Sequence, residues 1–415
     1  MTATTILSIH AREILDSRGY PTVEVELTTP KTTVTASVPE GASTGVHEAV
    51  ELRDHTKRYH GLGVQKSVRI INRILAPRLK GKDCTQQQKI DQLLISLDGT
   101  DNKRKYGANT ILAISLACAK AAAASQQIPL YHYLHHLAKT KKPLTLPTPY
   151  FNILNGGKHA DSTLSFQEFM IVPQLKTFKL NLQAGAEIYH TLKKILHQRY
   201  GSGSTNVGDE GGFSCSKIKN SAQALDLLSK AISLAGYTKK CALAIDVAAS
   251  SFYKQKYYLV DGKKLSAESF LHYYHQLASK YNIISLEDPF EQEDIDNFGN
   301  ITAQTTLQIV TDDLTVTNHD RLEWAIHEHA GTCLLVKPNQ IGTLTETLQA
   351  VQTAYEHNWK VMVSHRSGET EDTFIADLAV ALGCGMIKAG APCRGERVAK
   401  YNRLLRIEEE LMKQK

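Results

Sequence analysis

The chain of 415 residues is too long for one ordinary core and suits a barrel of about 250 residues plus a smaller domain. Hydrophobic residues make up 42% and charged residues 22%, which excludes a disordered or fibrous chain. The formal net charge is +6 with no basic tract interleaved with aromatics, so no nucleic-acid partner is expected, whereas a small anionic substrate suits the mild excess.

The first part of the chain, residues 1–136, reads as a small α+β capping domain. Met1 to His10 has neither a basic start nor a long apolar run, so no signal peptide is expected there. Thr22 to Leu27 and Thr33 to Val38 alternate polar and apolar residues, the period of half-buried strands, and read as a pair joined through Pro30. Helical patterns follow over Val64 to Leu75 and over the alanine-rich stretch Asn109 to Gln127. Tyr131 to His136 reads as a helix end with exposed imidazoles rather than a metal site. Lys139 to Pro149, with three prolines and three lysines, reads as the link between domains.

The second part, residues 137–415, repeats one unit: an apolar run ends in a polar or charged residue, and a helix-length segment follows. Those end residues are Asp246, Glu287, Asp312, Lys337, His365 and Lys388, spaced roughly 23 to 41 positions apart, the length of a βα unit. Continuously apolar runs suit strands buried on both faces. Pro149 to Leu154 and Phe166 to Val172 supply two further strands with no room for a helix between them, so they pair antiparallel. Two helices follow, near Asn181 to Arg199 and Ser221 to Ala235. The predicted fold is α/β: an atypical ββαα(βα)6 TIM-type barrel with a smaller N-terminal α+β domain. No run of about 18 consecutive apolar residues appears, so no membrane span is expected. Seven cysteines without a CxxC pair suggest a reducing, cytoplasmic setting and no structural zinc.

Barrel enzymes carry their catalytic groups at the carboxyl ends of the strands. Asp246, Glu287 and Asp312 on neighbouring strands would repel one another unless a cation lies between them, and hard oxygen ligands favour magnesium. Lys337 on the next strand is expected to lose its proton readily beside such an ion and to act as a base. Val207 to Gly212 sets Asp209 and Glu210 between glycines, where Glu210 can approach a ligand as an acid. Arg366 and Ser367 follow the seventh strand, where barrels often bind phosphate. Gly41 to Gly45 and Asn155 to Ala160 read as small-residue lids. Together these groups suit proton removal next to a carboxylate, with expulsion of a hydroxyl by an acid.

The motifs Ala11 to Gly19, Gly41 to Gly45, Val207 to Gly212, Asp312 to Asn318, Ser364 to Ala376 and Arg403 to Leu411 fall in order along nearly the whole chain, which resembles the enolase family. The resemblance implies a hydro-lyase, phosphopyruvate hydratase, that reversibly dehydrates 2-phospho-D-glycerate to phosphoenolpyruvate in glycolysis and gluconeogenesis. It implies two Mg2+ ions per site, the first on Asp246, Glu287 and Asp312 and the second arriving with substrate at Ser43. It implies Lys337 as the base at C2, and Glu210, supported by Glu168, as the acid at the C3 hydroxyl. His159 would lie against the phosphate or leaving group. Arg366 and Ser367 would hold the phosphate, Lys388 the carboxylate end, and Gln167 and His365 would also line the substrate. A homodimer or larger homo-oligomer is implied, and a surface or secreted pool binding plasminogen through Lys413 to Lys415 is the alternative role. A paralogue acting on a related phospho- or phosphono-carboxylate is the alternative reaction.

The sequence departs from the family pattern at four places. Glu40 stands where serine is usual, and predicts extra negative charge beside the first lid. Tyr20 stands where asparagine is usual, Pro338 follows the expected base directly, and Gly395 replaces a serine.

Overall fold

The computed structural model describes residues 2–157 and 164–413. Its first unit is an antiparallel sheet of β1 (Ser8–Leu15), β2 (Pro21–Thr28) and β3 (Thr33–Ser37) in that order. The expected pair over Thr22 and Thr33 is present, and β1 adds a strand the alternation did not reveal. Arg12 of β1 reaches across to Glu24 at 2.7 Å and Glu26 at 2.8 Å on β2, so charged pairs support this edge. The expected helix after Val64 begins at Gln65 and runs on through a π-type turn at Ile71–Leu75. A helix at Gln87–Asp98, not predicted, packs on the helix Ala108–Ser125. That second helix is long and apolar enough to cross a membrane, but 89% of it is buried inside the protein, so it serves as the unit's core.

The second unit is a closed barrel of β4 (Thr148–Asn155), β5 (Glu168–Pro173), β6 (Cys241–Asp246), β7 (Ile283–Glu287), β8 (Gln308–Thr311), β9 (Cys333–Val336), β10 (Lys360–Ser364) and β11 (Met386–Lys388). Strand β5 runs antiparallel to both β4 and β6, the remaining neighbours are parallel, and Met386 beside Thr148 closes the ring. Helices Phe178–Tyr200 and Ser221–Leu234 fill the gap before β6, and one main helix follows each later strand. This is the ββαα(βα)6 order read from the sequence. Thr177, Asn220, Ser266, Asn318 and Thr343 start five of the outer helices by accepting a backbone N–H in the first turn, each worth about 1 kcal/mol.

Successive strand residues point to opposite faces, and this alternation aims the site. Ala242 and Ala244, Val310, Cys333 and Leu335, Met362 and Met386 form one compact cluster with Tyr150 and Met170. Leu243, Ile245, Leu334, Val336, Val361 and Val363, on the other parity, join the large cluster under the helices. Asp246, Asp312, Lys337 and Lys388 share the parity of the inner set. They therefore point into the barrel where the strands end. Small alanines on β6 face the bulk of Tyr150 and Met170, which keeps the interior filled below the mouth.

Candidate active site

The mouth of the barrel is a cleft lined by Ser43, Gln167, Glu168, Glu210, Asp246, Asp312, Lys337, His365, Arg366, Ser367 and Lys388. Glu287 lies against it through Lys388. Of the residues predicted from sequence, His159, with Lys158 and Ala160 of the second lid, and Gln414 and Lys415 of the terminal segment lie outside the described residues.

Two lysines organise the acids. The Lys388 ammonium lies 2.9 Å from Asp246, 2.8 Å from Glu287 and 3.3 Å from Glu168. The Lys337 ammonium lies 2.5 Å from Asp312, whose other oxygen accepts from the Gln340 amide at 2.8 Å. Burial drives Glu287 up to about 8, with Asp246 adding to the shift and Lys388 opposing it. Asp312 goes the other way: burial would raise it, but Lys337 outweighs that and holds it below the ordinary carboxylate value. Both lysines are raised, because the carboxylates overcome the cost of burial. Asp312 at contact distance stabilises the charged form of Lys337, whereas the sequence expectation of ready proton loss concerned a lysine beside a bound cation.

The opposite wall carries an acid pair. The Gly208 amide donates to the Gly212 carbonyl at 2.9 Å and turns the chain so that Glu210 faces inward, where its carboxylate accepts from the Asn152 amide at 2.9 Å. Burial, and next the charge of Glu210, push Glu168 well above the usual carboxylate range, against the pull of Lys388. Glu168 is in register with Asp246 across β5 and β6, so strand pairing alone sets these two groups side by side.

The loop 41–45 closes over the rim. The Ala42 amide donates to Ser367 Oγ at 2.5 Å, and the Ser43 carbonyl accepts from Arg366 at 3.1 Å. Gly41 lies so close to the Arg366 guanidinium that any side chain there would collide with it. The extra negative charge that Glu40 brings beside the first lid is neutralised by arginines. The Glu40 carboxylate pairs with Arg18 at 2.9 Å and with Arg53, while its backbone bridges Gly368. Lys337 is extended, with φ −126° and ψ 99°, and Pro338 begins the short helix Pro338–Ile341, so the proline suits the turn after the strand.

The chain matches the family model described as Enolase, N-terminal domain, over residues 6–134, and that described as Enolase, C-terminal TIM barrel domain, over residues 143–415. It is 52% identical over 408 residues to the Enolase of Methanocaldococcus jannaschii, covering 98% of this chain and 95% of that relative. The chain belongs to the enolase family.

This enolase-family site contains groups that the sequence reading missed. Asp288, Asp312 and Asp313 bring carboxylate oxygens within 4.8 Å of one another, an acidic cluster able to hold a cation. Asp288 accepts the amides of Asp312 at 2.9 Å and Asp313 at 2.8 Å from a left-handed backbone, φ 42°. Its position directly after Glu287 and before Pro289 was the available signal. Glu48 and Arg397 had none, because each acts on a residue far away in the chain.

Proposed function

We propose that this enolase-family chain reversibly removes water from 2-phospho-D-glycerate to give phosphoenolpyruvate. The observation that carries the reading is the placement of a lysine–aspartate pair and a glutamate pair on different walls of one cleft, with Arg366 and Ser367 at its rim.

The donor set fits magnesium. Asp246, Glu287 and Asp312 offer carboxylate oxygens, and Glu287 Oε2 is buried with no hydrogen-bond partner among the described residues. These three would hold the first ion, and Ser43, in the loop over the mouth, the second. Bound magnesium supplies positive charge that makes a proton beside a carboxylate more acidic.

The protein's own groups then divide the work. Arg366 and Ser367 hold the phosphate, Lys388 holds the carboxylate end, and Gln167 lies near the substrate. Gln167 Oε1 is buried without a hydrogen-bond partner among the described residues, which suits a substrate hydroxyl. Lys337 takes the proton from C2. It must first release its own ammonium proton to solvent, which becomes easier when Asp312 is drawn away, because that contact is what favours the ammonium form. Glu210 gives a proton to the departing C3 hydroxyl, and Glu168, whose pKa is raised by burial and by the charge of Glu210, supports it. The loop 41–45 excludes water from the cleft. Cytoplasmic location and a homodimer belong to the same proposal and rest on the family likeness.

The test is ultraviolet detection of phosphoenolpyruvate from 2-phosphoglycerate, with magnesium and after chelation. Turnover that is lost on chelation and restored by magnesium supports the reading. Absence of turnover, with activity on another member of a phospho- and phosphono-carboxylate panel, would assign the paralogue reaction instead.

A further inference from the structure

Arg397 lies in the last helix, Gly395–Met412, with its side chain fully buried. Each terminal nitrogen of a guanidinium carries two hydrogens, and here all four are used. Nη1 donates to His365 Nδ1 and to the Arg366 carbonyl, both at 2.6 Å. Nη2 donates to the Ser367 carbonyl at 2.6 Å and the Asp209 carbonyl at 3.0 Å. Glu396 lies 3.3 Å from Nε.

A guanidinium keeps its proton and has no lone pair to offer. His365 Nδ1 must therefore be the acceptor in its contact with Arg397. Only a neutral ring with its hydrogen on Nε2 has that lone pair. The Nε2 side faces Glu210, whose Oε2 is 3.6 Å away. The backbone is fixed too, since the His365 amide donates to the Lys388 carbonyl at 2.9 Å.

We infer that Arg397 is a positioning residue that locks His365 in its neutral Nε2–H form, so that His365 serves the site only as a hydrogen-bond donor toward Glu210 and the group leaving beside it. The role toward a leaving group rests on the proposed dehydration; the tautomer does not. The surrounding groups agree with the lock. Burial holds the imidazole well below its ordinary pKa; Glu210 opposes this, and Arg397, Lys388 and Lys337 add to it. The lock also excludes another use of the same atoms. Glu168, Glu210 and His365 bring ligand atoms within 4.8 Å of one another, but an Nε2 that carries hydrogen has no lone pair for a metal. The same guanidinium braces the turn after β10 and the loop of Asp209 and Glu210, so the acid and the phosphate-holding residues are tied together from outside the cleft.

The experiment is nitrogen NMR on the full chain with 15N-labelled histidine, the His365 signals being identified by their loss in His365→Gln. Nδ1 is expected at an unprotonated shift and Nε2 at a protonated one, unchanged from about pH 8 down to about pH 5.5, where a free imidazole would have charged. A ring that titrates in that range, or that carries its hydrogen on Nδ1, overturns the inference. Arg397→Met is expected to restore titration of His365 and lower kcat by about 10–100-fold, with a new acid limb in its pH profile, whereas Arg397→Lys keeps the tautomer. A His365 ring in Arg397→Met that stays locked also overturns it. If that variant does not fold, the wild-type spectrum decides. A locked ring in a chain that forms no phosphoenolpyruvate would sink the proposed reaction and leave the lock standing.

Discussion

Both oxygens of Glu48 grip the guanidinium of Arg366, Oε2 on Nη1 at 3.0 Å and Oε1 on Nη2 at 3.1 Å. Glu48 also accepts the Gly45 amide at 3.1 Å, and Asn339 takes another hydrogen of Arg366 at 2.9 Å. One side chain from the capping unit thus orients the arginine proposed to hold phosphate and ties down the loop 41–45 as well. Glu48→Gln keeps one acceptor and loses the charge. We expect KM for 2-phosphoglycerate to rise about tenfold, with kcat changing less, because the damage falls on phosphate positioning. Steady-state kinetics check this, and an unchanged KM would remove Glu48 from that role.

Lys337→Ala is expected to lower kcat by at least about a thousandfold while calorimetry still detects magnesium binding. Asp312 loses its contacting ammonium in this variant, so its oxygen is more available to a cation. Wild-type turnover would exclude Lys337 as the base.

Glu40→Ser restores the residue usual in the family and removes a negative charge beside the first lid. The structure adds a cost. Arg18 and Arg53 are largely buried and share the Glu40 carboxylate, and Glu51 beside Arg53 is raised to about 8 by burial and by Glu40. We expect the variant to lose about 1–3 kcal/mol of stability, measured by denaturant titration, with kcat within about threefold of wild type. A collapse in kcat at unchanged stability would give Glu40 a role in the chemistry.

Asp372 joins the two units. Its carboxylate accepts from the Ser37 amide at 3.0 Å and from Lys120 at 2.6 Å. Burial would raise its pKa, but the charge and hydrogen bond of Lys120 prevail and hold it below the ordinary value. A carboxyl depressed on folding contributes stability that is complete above its unfolded pKa, about 3.9, and lost as pH falls through the folded value. Asp372→Asn should therefore cost about 2–4 kcal/mol near pH 7, and the gap to wild type should narrow below about pH 4. A gap independent of pH would mean that the charge of Asp372 does not matter.

The chain's own pattern determined the barrel order and the inward set of Asp246, Asp312, Lys337 and Lys388, because strand alternation and the apolar runs that carry it are local properties of consecutive residues. Strand β1 escaped the same reading, since its charges are stabilised by Glu24 and Glu26 on the neighbouring strand. Only the tertiary structure decided the pairing of Lys337 with Asp312, the direction of Glu40, the hold of Glu48 on Arg366 and the tautomer of His365. Each of these depends on a distance of a few ångströms between groups far apart in the chain, as with Glu48 and Arg366, 318 residues apart. Coulomb energies and hydrogen bonds fall off within that distance, and no local pattern encodes it.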